Sequence, residues 1–523
     1  MSRDTVSDVE PIAETRCGRI RGTLEEGLCV FRGIPYAEPP TGSRRFRAPR
    51  PPAPWSGVRD ARSFGAPAPQ IPGMLARLLG SDTERASEDC LFLNLWTPAL
   101  DEGRRPVMVW IHGGSFNSGS AGSPIFDGSW LARQGVVVVT FNYRLGALGF
   151  LALQELEEEE EGVFGNIGLL DQIALLEWVR ENVSWFGGDP ECVTVFGESA
   201  GAMSAGTLLA APRAGGLFHR AVLESGGAEN VSSREEAARV GARFLEELGW
   251  GGADAERLRS VPVGDLLAAQ QRTVAKMWRS VPGLAFQPVV DGSVVPAPPL
   301  ERIRSGCAAR IPLMAGSNRD EYKLWHLADP KARELDHAAL LRRCRRNLPG
   351  EDGDGISRAE RAIETYSRAR QGRASVEPSE LWVAIESDRL IRAPALRLAE
   401  SQQRHQRQTY AYLFTWASPA MEGALGSCHA LEIPFVFGTF RHPGISALVG
   451  AGAAAERLSS VMQAAWVAFA RTGDPNHPGL GDWLPYDPEA RPTQLLGARC
   501  ELVNAPFEEE RRFWDEPPAR PHP

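Results

Sequence analysis

The chain has 523 residues, 43% hydrophobic and 24% charged, an ordinary globular composition long enough to bury one large core. A formal net charge of −9, with no Lys/Arg-rich patch interleaved with aromatics, argues against a nucleic-acid partner. The first eight residues are polar and acidic with no apolar export segment, and apolar runs such as residues 136–139 are far too short to cross a bilayer, so a soluble, cytoplasmic protein with no membrane partner is expected.

In chain order, short apolar runs of β character at 106–111 and 136–141 come first, each ending near Gly, Ser or Asn. The acidic run 157–161 reads as a solvated loop without function. Leu169, Leu170, Ile173, Leu176 and Val179 then recur at helical spacing, and the Gly187-Gly188-Asp189-Pro190 turn stops that helix and redirects the chain. Further strands are expected at 193–196, 221–223, 311–315 and 409–414. The stretch 349–355 reads as an exposed loop and 401–407 as a solvated helix face. Strands alternating with helices predict an α/β protein, with a large, mostly parallel sheet covered on both faces. No internal repeat interrupts the pattern, so a single domain over 1–523 with helical excursions above the sheet is expected. The eight cysteines are scattered without metal-site or disulfide-framework spacing and read as buried free thiols; no cofactor or metal is called for.

The chemistry lies at the strand ends. Gly197-Glu198-Ser199-Ala200-Gly201 follows an apolar strand and leads into a small-residue helix. This is the strand, sharp turn, helix context of a nucleophile elbow, in which a strained turn lifts the serine hydroxyl above the sheet. A serine nucleophile needs a base, and an acyl tetrahedral intermediate needs donors for its oxyanion. His112-Gly113-Gly114-Ser115-Phe116 follows the strand at 106–111, where α/β-hydrolases carry a Gly-rich oxyanion loop, so the amides of Gly114, Ser115 and Ala200 are the candidate donors. His112 precedes the elbow in a fold whose order is Ser, acid, His, and reads as a loop brace. The other histidines fall to early, solvated or tail positions, leaving His429 as candidate base with His442 a weaker second. Asp320 and Glu321, beyond the strand at 311–315, are both candidate acids, and spacing does not separate them.

At this point the chain resembles the type-B carboxylesterases, the family of cholinesterases and bacterial p-nitrobenzyl esterases. The resemblance runs through Phe31-Arg32-Gly33-Ile34-Pro35-Tyr36-Ala37, Arg45-Phe46, Ser87-Glu88-Asp89-Cys90-Leu91 and Asn142-Tyr143-Arg144. It peaks from Gly165-Asn166 to Gly201, and resumes at Glu321 and at His429-Ala430-Leu431-Glu432-Ile433-Pro434-Phe435. It implies the α/β-hydrolase fold, Glu321 as acid, His429 as base, and Gly114, Ser115 and Ala200 as the oxyanion hole. It also implies structural pairs Arg45 with Glu88 and Arg144 with Asp171, and a hydroxyl from Ser225 near Glu321. Three positions depart from the pattern. Ser115 replaces a common third glycine, Ala68 stands where secreted members carry the partner of Cys90, and Tyr322 follows the acid where glycine is common.

The expected reaction is acyl transfer from an ester to water through Ser199, with a small-molecule ester as partner and the protein a monomer or small homo-oligomer. Carbamates, lactones or amides share the tetrahedral chemistry, and a non-catalytic cholinesterase-like binding protein is the alternative of another class. Phe116, Trp278 and Trp325 are core residues or the lining of an apolar gorge.

Overall fold

The computed structural model describes residues 10–73, 85–159, 163–277, 283–348 and 356–515. The N-terminal eight residues, Trp278, the 349–355 stretch and the end of the acidic run lie outside them.

Eleven strands form one sheet: β1 (Thr23–Glu25), β2 (Leu28–Pro35), β3 (Phe92–Thr97), β4 (Arg105–Ile111), β5 (Val137–Phe141), β6 (Gly188–Glu198), β7 (Arg220–Glu224), β8 (Leu313–Asn318), β9 (Thr409–Phe414), β10 (Pro492–Leu496) and β11 (Glu501–Asn504). Their spatial order is β11-β10-β9-β8-β7-β6-β4-β5-β3-β2-β1. The run from β5 through β4 to β10 is parallel, and the strands outside it pair antiparallel.

Alternation within the parallel strands explains their near-continuous apolar sequences. In β4, Val107, Val109 and Ile111 join one core cluster while Met108 and Trp110 join the cluster on the opposite face; β5 divides the same way. A strand buried on both faces has no polar side to show. Each such side chain contributes about 1.5–3 kcal/mol on burial, so both faces must carry helices. α1 (Ile167–Asn182), with the five spaced apolar residues all buried, covers the first face. α2 (Ala200–Leu208) follows the elbow, α3 (Arg234–Glu247) and α4 (Val263–Met277) belong to an excursion between β7 and β8, and α5 (Ala453–Thr472) lays Trp466 and Phe469 on the second face.

The structure departs from the sequence expectations at five places. Of the eight cysteines, expected as buried thiols, Cys90, Cys344 and Cys428 are buried and Cys307 is exposed. In the run 401–407, expected as a solvated helix face, the helix ends at Gln403, and Ser401 and Gln402 are buried. Only Gly187, left-handed at φ 73°, makes the turn after α1; Gly188, Asp189 and Pro190 already belong to β6. The strand expected at 311–315 starts at Leu313, after Pro312, which has no ladder donor, and runs on to Asn318. The described part of the acidic run is the end of a helix, Gln154–Glu159, rather than a solvated loop. Glu157 pairs with Arg234 at 2.6 Å and Glu159 with Arg47 at 2.9 Å and with Arg259, all from distant segments.

Register sets the position of the site. Ile111 pairs with Gly197, Glu198 with Glu224, and Glu224 with Gly316, so the carboxyl ends of β4, β6, β7 and β8 end nearly level along one edge. In open α/β sheets that edge is where loops converge on a ligand.

Candidate active site

The elbow is built by steric compulsion. Ser199 has φ 56° and ψ −122°, outside the ordinary allowed regions for a side-chain-bearing residue, and its amide donates to the Glu224 carbonyl at 2.9 Å. A Cβ on Gly201 would lie 1.9 Å from the Ile111 carbonyl oxygen, and one on Gly197 would lie 2.7 Å from the same atom. Both glycines are therefore demanded by the close approach of α2 and β4 to the turn. Strain of this kind costs on the order of 1–3 kcal/mol and persists only where the surroundings over-determine it. Among the described residues the Ser199 hydroxyl has no hydrogen-bonding partner.

His429 is buried beside the elbow, in the loop after β9. Its Nδ1 meets Glu321 Oε2 at 2.6 Å. Glu321 is fully buried; its Oε1 accepts from the Ser225 hydroxyl at 2.6 Å and from the Asn318 amide at 2.6 Å. The carboxylate is thus held by β7 and β8 together. Asp320 is turned elsewhere: it pairs with Arg319 at 3.0 Å and caps the Ser427 amide at 2.9 Å. The structure therefore separates two carboxylates that spacing left equivalent. His442 is exposed on the surface, away from this cluster. His112 is buried, stacks on Tyr143 at 4.5 Å and donates from Nδ1 to the Gly113 carbonyl at 2.8 Å; burial pushes its pKa down to about 4, which suits a neutral brace.

The other ring nitrogen of His429 has a partner that sequence reasoning missed. Nε2 stands 2.9 Å from Glu198 Oε1, but out of line for an N–H···O bond, so the contact is Coulombic. Burial opposes charge on the imidazole, yet Glu198 and Glu321 on its two sides outweigh burial and hold its pKa well above the ordinary histidine value. Two further buried carboxyls stand close behind. Asn318 Nδ2 donates to Glu432, whose pKa burial and the neighbouring glutamates push far up. Glu224 accepts from Trp466 Nε1 at 2.8 Å, and burial pushes its pKa up to about 8. The only sequence signal for Glu198 was its place beside Ser199 inside the elbow. Trp325 lays its ring 4.7 Å from that of His429, whereas Phe116 is fully buried against Phe150.

Gly114, Ser115 and Phe116 form a left-handed run with φ of 108°, 55° and 57°. Two consecutive non-glycine residues in that region are uncommon and together cost roughly 2–4 kcal/mol. Within the described residues no group accepts from the amides of Gly114 or Ser115. The Ala200 amide opens α2, with no carbonyl one turn back to receive it. The loop meets the elbow at Gly113, where a Cβ would sit 3.1 Å from Ser199 Cβ and 2.9 Å from Glu198 Oε2. The scaffold pairs are present: Arg45 with Glu88 at 2.5 Å, and Arg144 with the fully buried Asp171 at 2.5 Å. Cys90 is a buried free thiol. Among the described residues no group of three potential ligands could hold a metal ion, and no helix is long and apolar enough to cross a membrane.

A family model described as the carboxylesterase family matches residues 9–514. The para-nitrobenzyl esterase of Bacillus subtilis strain 168 is 40% identical over 507 residues, covering 96% of this chain and 98% of that protein. The phenmedipham hydrolase of Pseudarthrobacter oxydans is 38% identical over 486 residues, 90% and 92% of the two chains. In structure, the chain superposes on the Geobacillus stearothermophilus carboxylesterase with a TM-score of 0.83 at 40% identity, covering 96% of this chain and 99% of that one.

Proposed function

This chain belongs to the carboxylesterase family and is a serine carboxylesterase of the α/β-hydrolase fold, and on that premise we propose that Ser199, His429 and Glu321 are its catalytic triad, with Gly114, Ser115 and Ala200 donating to the oxyanion. Its substrates are small-molecule carboxylic esters. The observation that carries the assignment is the 2.6 Å bond from His429 Nδ1 to a fully buried Glu321, beside a serine held in a strained elbow with its hydroxyl unengaged among the described residues.

In the proposed cycle His429 Nε2 takes the Ser199 proton as Oγ attacks the ester carbonyl. The carbonyl oxygen becomes an oxyanion and is met by the three amides, each such donor being worth on the order of 10²- to 10³-fold in turnover. The imidazolium, stabilised through Nδ1 by Glu321, gives its proton to the departing alkoxide. Water then repeats the sequence on the acyl-enzyme, releasing the acid and restoring Ser199. The resting contact of Nε2 with Glu198 favours the imidazolium. The base is therefore ready only in the fraction of molecules that have lost this proton, and the rate climbs with pH through that loss.

The proposal takes residues 1–523 as one catalytic domain in the cytoplasm. A sheet drawing strands from Thr23 to Asn504 supports the first point, and the buried unpaired thiol of Cys90 supports the second. The test is Ser199→Ala against p-nitrophenyl esters of graded acyl length, with circular dichroism to establish folding. Turnover should fall by at least about 10³-fold for every ester. A folded variant as fast as the parent would sink the triad.

A further inference from the structure

The strained Ser115–Phe116 turn is held by a relay that starts outside the sheet. Gln270 projects from α4, is only 6% exposed, and spends both ends of its amide on the loop after β4 and on the short helix Gly146–Phe150 rather than on its own helix. Its Oε1 accepts from the Ala147 amide at 2.8 Å, and its Nε2 donates to Asn117 Oδ1 at 3.0 Å. Asn117 Nδ2 in turn donates to the Ser115 carbonyl at 2.7 Å. On the other branch the Gly146 amide, next to Ala147, donates to the Phe116 carbonyl at 2.6 Å. The direction of each bond is fixed by chemistry at the two ends, because a backbone N–H can only donate and a carbonyl can only accept. Both amide orientations follow. Space for the glutamine is also built in: Gly146 has φ 53°, and a Cβ there would lie 2.0 Å from Gln270 Oε1.

We propose that Gln270 is a positioning residue for ester hydrolysis: it anchors Asn117, whose side chain holds the Ser115 carbonyl and whose backbone amide donates at 3.0 Å to the Gly114 carbonyl, the carbonyl that shares a peptide unit with the Ser115 amide, and so it aims the Ser115 amide, and the Gly114 amide beside it, at the developing oxyanion. The inference rests on reading those amides as the oxyanion donors. A relay of this kind acts on the transition state more than on the bound ester, since the oxyanion forms only as Ser199 adds.

The experiment compares Gln270→Leu, Asn117→Ala, the double variant and Ser199→Ala with the parent enzyme. It measures kcat and KM on p-nitrophenyl butyrate, inhibition by an aryl trifluoromethyl ketone, whose adduct carries the oxyanion, and thermal melting. Gln270→Leu and Asn117→Ala should each lower kcat on the order of 10-fold, with KM within about twofold. The ketone should weaken in the same proportion, and the pH at which activity rises should stay in place, since His429 is untouched. The double variant should be no worse than the poorer single, because one relay can be broken only once. Asn117 is half-buried, so its variant folds even where the glutamine's does not. Unchanged kcat in a folded single variant, a loss confined to KM with the ketone unaffected, or losses that multiply in the double would each overturn the relay. If Ser199→Ala stays active, the site assignment itself is wrong; if it is dead while Gln270→Leu is fully active, only the relay is.

Discussion

Replacing Glu224 by glutamine should stabilise the protein, and the gain should grow with pH. Glu224 ends β7, is fully buried, accepts from Trp466 Nε1 through Oε1, and among the described residues has no partner for Oε2. Burial raises its folded-state pKa from 4.5 to about 8. Below the unfolded value both states carry the proton and glutamate behaves as a neutral side chain. Between the two values the unfolded chain ionises and the folded one does not, so parent stability falls as pH rises. At 1.36 kcal/mol per unit, the penalty that glutamine removes is under about 1 kcal/mol at pH 5, about 3 kcal/mol at pH 7 and about 4 kcal/mol at pH 8. Glutamine keeps the acceptor for Trp466; its NH2 group brings two N–H where the protonated acid has one unpartnered O–H, and the second adds a cost that does not change with pH. With an unfolding entropy of roughly 2.1 cal/mol/K per residue over a chain of this length, the gain at neutral pH corresponds to about 3 °C in Tm. Urea unfolding of parent and Glu224→Gln at three pH values measures the difference directly. A difference in stability between the two proteins that does not shift in favour of the variant as pH rises would refute the placement of a protonated carboxyl there.

Glu198→Gln removes one of the two charges that hold the His429 pKa up against burial, so the acid limb of kcat/KM should move to lower pH; a limb that stays in place would show that Glu198 does not govern the proposed base. Asp171→Asn leaves the Arg144 guanidinium, 3% exposed, without its carboxylate, and should cost about 3–5 kcal/mol in denaturant unfolding; a loss below about 1 kcal/mol would mean that the pair is not buried as described.

The parts of the fold legible in the sequence are those where one local pattern decides the structure. The strand at 409–414 and the helix carrying Leu169 to Val179 have strong apolar periodicity and clear ends, and both form as expected. The start of β8 was misplaced because Ile311-Pro312 continues the apolar run, while the ladder begins only after the proline. The helical end of the acidic run was misread for the opposite reason. A row of glutamates looks solvated until Arg47, Arg234 and Arg259 arrive from elsewhere in the chain to neutralise it. The elbow was legible because its glycines answer to a clash with the Ile111 carbonyl that any such turn creates. Asp320 and Glu321 could not be told apart by spacing, since their difference is one of direction: one side chain turns toward Arg319 and Ser427, the other into the protein toward His429.

The charge state of the site lay furthest from the sequence. Glu198, Glu224, Glu321 and Glu432 come from four separate segments, and composition counts each as a full negative charge at neutral pH. Register sets Glu198 opposite Glu224, and the turn after β8 brings Glu321 and Glu432 together around Asn318 and Ser225. Four ionised carboxylates cannot share a dry space with one imidazolium, because charge without a partner is what burial penalises most. The imidazolium of His429 can balance only one negative charge among the carboxylates around it; burial pushes the Glu198 pKa up against the pull of His429, and Glu224 and Glu432, which among the described residues touch only neutral donors, take up protons. The interior therefore carries less negative charge than the sequence count implies, and the two protonated acids behind the elbow form part of the medium around the proposed substrate oxyanion. A neutral Glu224 lets its backbone carbonyl hold the Ser199 amide without adding a negative charge behind the proposed nucleophile. That is why the pH dependence of Glu224→Gln bears on the chemistry of the site as well as on the stability of the fold.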